Sequence, residues 1–146
     1  RLKSAGILDR CTLVHGYVQD LPYEEKFDAA LSLLVAHFVK REERLFFYKN
    51  ITSRLNNGGH LINTELSYDL KSTDFPVMLK NWEQIQLLMG ATSESIANLP
   101  TQLREILTII SNDETEELLR QSGISEPVLF FQSFMICGWQ GIKLTK

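Results

Sequence analysis

Metal chemistry has little to work with in this sequence. Its 146 residues include two cysteines and three histidines, and Cys11 and Cys137 lie far apart in apolar stretches, without metal-ligand spacing. No metal site is expected. Free thiols in such settings are usual in a reducing compartment, which points to the cytoplasm. A dominant charge is missing too. The formal net charge of −3 gives no general attraction to nucleic acid, and Lys40, Arg41, Arg44 and Lys49 are interleaved with Glu42 and Glu43 as on a solvated helix face. The longest apolar run, Ala29 to Val39, carries Ser32 and His37 and falls short of the roughly 20 residues a bilayer crossing takes. Among eight glycines there is no Gly-x-Gly, the spacing that lets backbone amides approach a bound cofactor closely. No signal peptide is visible, but the chain opens on Arg1 rather than Met, so its natural N-terminus is expected elsewhere.

What is present is an ordinary globular composition, 44% hydrophobic and 23% charged, of one domain's length or a large piece of one. Arg1 to Ile7 reads as the tail of a helix, and Cys11 to Gly16 as a short strand running into a loop closed by Pro22. Phe27 to Leu33 is nearly continuous in apolar residues, the pattern of a strand buried on both faces. A helix is expected from Arg41 to Leu55, where Phe47, Ile51 and Leu55 recur at helical spacing, with Asn57-Gly58-Gly59 as its stop. His60 to Leu66 follows as a strand. Strand, helix, Gly-Gly, strand is the signature of a βαβ unit, hence of a parallel sheet.

From Ser67 to about Ser111 the pattern is helical and longer than a crossover needs, which suggests an insertion or lid. Val77, Met78, Trp82, Ile85, Leu88 and Met89 mark its first apolar face, read as packing rather than a cofactor box. Pro100 interrupts its second half. Asn112-Asp113 reads as the N-cap of a helix ending at Gly123. Val128 to Phe134 and Ile136 to Leu144 read as two strands joined near Cys137-Gly138, an antiparallel hairpin.

This order resembles the second half of a class I S-adenosylmethionine-dependent methyltransferase. The matching text is HGYVQDLP at His15 to Pro22, FDAALSLLVAHFV at Phe27 to Val39, RLNNGGHLINTEL at Arg54 to Leu66, and a closing hairpin VLFFQSFMICGWQGIKL. The resemblance implies an α/β fold with a Rossmann-like sheet, mostly parallel, with an antiparallel C-terminal hairpin and a helical insertion after His60–Leu66. It further implies that the N-terminal strands and the glycine loop are missing from residues 1–146, so that this piece alone is inactive. The family's sheet order puts the missing strands between the strand at Cys11 and the one at Phe27.

By the same resemblance, the cofactor is S-adenosylmethionine. Gly16, Tyr17 and Val18 fall where the family contacts the adenine, with Tyr17 in place of the usual acid, and Asp20 either joins them or closes a turn. Ser32, Leu33 and Leu34 end the central strand, where ligands collect in open α/β sheets. His37, just beyond, could orient or deprotonate an acceptor, or be a hydrogen-bonded histidine at a helix start. Glu65 and Tyr68 should face the same rim, unless Glu65 is solvated or caps a helix, and Phe134 and Trp139 should reach the acceptor from the hairpin, with ordinary hairpin packing as the alternative. His15 and His60 are read as structural.

Methyl transfer from a sulfonium needs alignment above all, and a base only where the acceptor must lose a proton. The absence of a triad or metal cluster therefore does not argue against it. The expected acceptor is a small molecule or a modified nucleoside. Two alternatives stay open: an enzyme like carboxy-S-adenosylmethionine synthase, which shares a phenylalanine-glutamine pair in the last hairpin, and a non-catalytic module that dimerises through the helical stretch.

Overall fold

The computed structural model describes residues 1–145. Its elements are β1 (Phe27–Leu33), α1 (Arg41–Ser53), β2 (Leu55–Leu66), α2 (Phe75–Leu88), α3 (Ser93–Thr101), α4 (Asn112–Gln121), β3 (Ile124–Ser133) and β4 (Ile136–Lys143). The strands form one sheet in the order β1-β2-β4-β3. β1 and β2 run parallel, Leu31 beside Ile62 and Leu33 beside Thr64. β4 enters antiparallel to both β2 and β3, so the closing hairpin is antiparallel, as expected from sequence.

Alternation along β2 decides which face becomes core. Leu61, Asn63 and Glu65 are buried while His60, Ile62 and Thr64 point the other way. The buried face meets α1 and α4, and Tyr48, Ile51, Leu55, Leu61, Leu119, Ile124, Cys137 and Trp139 form the main core there. Each such apolar side chain contributes on the order of 1.5–3 kcal/mol by leaving water. The two helices start as their sequences dictate: Glu42 and Glu43 lie in the first turn of α1, and Asp113 and Glu114 in that of α4.

The opposite face of the sheet is largely open, with Leu31 65%, Leu33 54% and Ile142 45% exposed. Here the structure corrects the sequence reading. Phe27–Leu33 forms the expected strand, but only Ser32 in it is buried. It sits at the sheet's edge, with β2 as its one strand partner among the described residues. Cys11–Gly16 is not a strand and does not pair with β1; this stretch is irregular, between 3₁₀ turns at Leu8–Arg10 and Val18–Asp20. His15 therefore lies in a loop, whereas His60 is in β2. Arg1 to Ile7 forms turns rather than a helix tail.

Helix and turn boundaries also move. α1 stops at Ser53, and Asn57-Gly58-Gly59 belongs to β2. Pairing shifts register there between Phe27 and Ala29, and a Cβ on Gly59 would stand 2.9 Å from the Asn56 carbonyl and 3.2 Å from that of Asp28. The glycine is needed for close strand approach rather than for a helix end. The cap of α4 is Ser111, whose Oγ accepts from Glu114 N at 3.3 Å, one residue before the expected Asn112. The hairpin turns at Phe134 (φ 53°) and Met135 instead of at Cys137-Gly138.

The helical stretch between β2 and α4 has its own core of Phe75, Trp82, Leu103 and Met135, joined by Leu66, Tyr68, Met78 and Phe134. Met78 and Trp82 pack as expected; Met89 does not, being 77% exposed. Pro100 leaves a missing N–H inside α3, and the helix gives way to a π-helical turn over Gln102–Ile106, closed by Leu107 N donating to Gln102 O at 2.9 Å. No helix among the described residues is long and apolar enough to cross a membrane.

Candidate functional site

The parallel strands β1 and β2 deliver their C-terminal ends to one rim, and the helical stretch packs beside it through Leu66. Ser32 and Leu34 bracket the end of β1. Ser32 is buried, and its Oγ has no hydrogen-bond partner among the described residues. An orphaned hydroxyl in a strand end is costly unless something else meets it. Leu34 takes φ 57°, which only close local restraint holds in a leucine. That restraint is its N–H, donated to Thr64 O at 2.7 Å. Leu33 and Leu34 are about half exposed. The rim is thus a fixed edge with one unmatched polar atom.

Just past it, the 3₁₀ turn Ala36–Phe38 holds His37, which is 4% exposed. The histidine is anchored twice. Its carbonyl accepts from Thr108 N at 2.8 Å, and Nδ1 accepts from the backbone N–H of Leu66 at 3.2 Å. Burial first, and the nearby Arg44 charge second, lower its pKa below the ordinary histidine value.

The remaining candidates are more scattered. Gly16, Tyr17 and Val18 line an open cleft of about 440 Å³ with Thr12, Val14 and Phe27, at the N-terminal end of β1. Phe27, at the cleft, and Leu33 are the two ends of the seven-residue β1, which rises about 3.3 Å per residue. Tyr17, 74% exposed, also borders a second groove with Phe38, Phe46 and Phe47, and so stretches toward the rim. Asp20 closes the turn: its Oδ2 accepts from Tyr17 N at 2.8 Å. Arg54 fixes the loop from below, donating to the carbonyls of Leu21 at 2.7 Å and Gln19 at 3.2 Å.

Glu65 is not on the surface of the rim. It is fully buried, paired with the equally buried Arg44 at 2.6 Å, and accepts from Tyr48 Oη at 2.5 Å and Asn63 Nδ2 at 3.0 Å. Burial raises the Glu65 carboxyl above its ordinary value against the opposing pull of Arg44, Tyr48 and Asn63. It drives the Tyr48 phenol well up as well. Arg44 then continues to Thr108 O at 2.6 Å, fastening the end of the helical stretch onto α1.

Tyr68 donates to Asp74 Oδ2 at 2.7 Å, which pushes its pKa up to about 12. Phe134 packs edge-on against Trp82 with ring centroids 6.1 Å apart. Trp139 is fully buried on the helix side of the sheet, and its Nε1 donates to Glu116 at 3.2 Å. Of the expected acceptor contacts, then, Glu65 and Trp139 are enclosed in the α1–α4 core, Tyr68 opens the helical stretch, and Phe134, at the hairpin turn, packs against that stretch's core. Among the described residues no group of three His, Cys, Asp or Glu could hold a metal ion.

Sequence reasoning missed the Arg44–Tyr48–Asn63–Glu65 network. Its signal was available: Arg44 and Tyr48 are four apart on a helix, Asn63 and Glu65 two apart on a strand, so each pair shares a face that the apolar pattern marks as inward.

Known proteins give the same architecture a context. Residues 1–63 match the family described as Methyltransferase domain. Among solved structures, an O-methyltransferase family protein from Burkholderia thailandensis superposes with a TM-score of 0.67 at 9% identity, over 99% of this chain and 39% of its own. An O-methyltransferase family 2 protein from Planctomyces limnophilus, in complex with apigenin, gives 0.65 at 17% identity, over 98% of this chain and 38% of its own. PigF with SAH gives 0.65 at 21% identity, with 98% and 38% covered. No curated protein matches the sequence. The chain spans about two fifths of the length of the structures it matches.

The sheet, with its antiparallel β4 between β2 and β3, is therefore the Rossmann-like sheet of the class I methyltransferase fold. The chain thus shares the fold of O-methyltransferase family proteins, and its first 63 residues are similar to the methyltransferase-domain family.

Proposed function

We propose that this chain supplies the acceptor side of an S-adenosylmethionine-dependent methyl transfer to a small molecule, within one domain whose segment 67–111 covers the acceptor. The observation that carries the reading is the rim itself: a parallel pair of strand ends with the buried, unpartnered Ser32 Oγ and the constrained Leu34. Such strand ends are where open α/β sheets take their ligands. The orphaned hydroxyl suits a polar ligand atom, and the half-exposed Leu33 and Leu34 suit an apolar ring edge. Tyr17 and Val18 would meet the adenine from the loop that Asp20 and Arg54 hold.

S-adenosylmethionine, when bound, supplies a methyl group on a positively charged sulfur, which leaves readily once a nucleophile is aligned with it. The protein's part is to orient the acceptor and exclude water. His37 lies between the strand rim and the helical stretch, bonded to both, and is the polar residue best placed to orient an acceptor. The SAH complex of one structural neighbour supports the cofactor, and the apigenin complex of another favours a small-molecule acceptor.

Calorimetric titration of the full-length protein with S-adenosylhomocysteine tests this. Saturable binding at one site is expected, weakened by Ser32→Val. Absence of binding to a folded protein contradicts the reading.

A further inference from the structure

The first residues of β2 swing out of the sheet's ladder. Pairing with β1 steps from Phe27 beside Leu55 directly to Ala29 beside His60, so residues 56–59 face Asp28 alone. On the other flank, pairing with β4 begins only at His60, beside Ile142. Asn57 and Gly58 therefore stand outside the ladder on both sides, and both are exposed. Asn56, by contrast, is tied down, its Nδ2 donating to Asp28 Oδ1 at 2.7 Å. Asn57 is also the one asparagine in the sequence with a glycine after it. Gly58 takes φ 75°, and a Cβ there would meet nothing within 4 Å, so the space beside its backbone is open. Asn57 borders a cleft of about 550 Å³ that Lys49 and Lys143 also line.

We propose that Asn57 is a self-modification site: in the folded protein its side-chain amide is lost to attack by the Gly58 backbone nitrogen, leaving aspartate and isoaspartate. The Gly58 nitrogen bonds to Asn57 Cγ and the Cγ–Nδ2 bond breaks. The displaced Nδ2 leaves as ammonia, carrying the proton that Gly58 gives up. The cyclic imide so formed then takes up water from solvent. Opening at Cγ restores the ordinary chain with an aspartate; opening at the Asn57 carbonyl carbon gives isoaspartate, whose chain runs through the side chain. Glycine at position 58 leaves the nitrogen uncrowded. Ladder pairing would forbid the step, because ring closure turns the Asn57 backbone and consumes the Gly58 N–H. The two lysines put positive charge beside an amide oxygen that gains negative charge during attack. The product adds one negative charge at the end of β1 and β2 opposite the Ser32–Leu34 rim, so the modification stands apart from the methyl-transfer reading.

The test incubates the full-length protein, folded, at neutral and at mildly alkaline pH. Tryptic digestion then releases the peptide from Leu55 to Lys71, and electron-transfer fragmentation in a mass spectrometer tells aspartate from isoaspartate within it. Both products are expected at position 57, forming several-fold faster than any change at Asn56 or Asn63 of the same peptide. The rate should rise with pH, because the attacking nitrogen must lose its proton. Asn57→Gln, in which attack would have to close a larger ring, should stay unmodified. A synthetic peptide of residues 55–66 sets the rate in the absence of the fold. An Asn57 that stays intact in the folded protein while this peptide converts overturns the proposal, and so does conversion spread evenly over Asn56 and Asn57.

Discussion

Replacing Glu65 by glutamine is the sharpest perturbation of the interior. The carboxylate and the Arg44 guanidinium are 2.6 Å apart and both wholly buried. Glutamine keeps an oxygen for Tyr48 or Asn63 but removes the charge that Arg44 faces. An uncompensated buried guanidinium costs about 3–5 kcal/mol, a large share of the roughly 5–15 kcal/mol that holds a domain folded. For a chain of this length each kcal/mol is worth about 2–4 °C or slightly more in Tm, so Glu65→Gln should melt about 10–15 °C below the parent. Urea denaturation of the full-length protein should show a lower midpoint at nearly unchanged slope. The double replacement Arg44→Met with Glu65→Leu should recover most of the loss, because apolar residues of similar volume leave no charge to strand. A Glu65→Gln protein within 1 kcal/mol of the parent would refute the reasoning, and would reopen Glu65 as an acceptor contact.

Three further outcomes follow from the same geometry. His37 resists protonation when folded but not when unfolded, so its contribution to stability should be intact above the ordinary histidine pKa and decline as pH falls through and below it; chemical denaturation between pH 5 and 8 should show this slope, and His37→Gln should flatten it. Cys137, buried with its pKa pushed up to about 11, should resist iodoacetamide in the native protein while the half-buried Cys11 reacts; equal labelling rates by mass spectrometry would contradict the packing. Gly59→Ala should destabilise by disturbing the β1–β2 register, visible as faster amide exchange at Ala29–Leu31, since its Cβ would meet two backbone carbonyls.

The sheet and its order were legible where the chain repeats a simple period. Phe27–Leu33 and His60–Leu66 gave strands, Arg41 onward a helix, and the last forty residues a helix followed by a hairpin. Cys11–Gly16 misled because β-branched residues mark a strand only when a partner is there to pair, and none pairs with it here. The apolar run at Phe27 misled on burial for a related reason: composition reports what a strand is suited to, not which neighbours cover it. Glu65 and Trp139 were placed on the rim by chain order alone. Side-chain alternation turns both inward, and Trp139 sits directly beside Asn63 in the β2–β4 pairing. Buried polar networks such as Arg44–Glu65 are harder to read, because each member looks like a surface residue until its face is known. The anchoring of the His37 ring was beyond the sequence altogether, being set by an amide 29 residues away.

The most direct test is a crystal structure of the full-length protein with S-adenosylhomocysteine. The account predicts the ligand against Ser32–Leu34, with its adenine toward Tyr17 and Val18 and a polar atom on Ser32 Oγ. Density at a remote site, such as the cleft between His60, Gln140 and Ile142, with the β1 rim left bare, would contradict it.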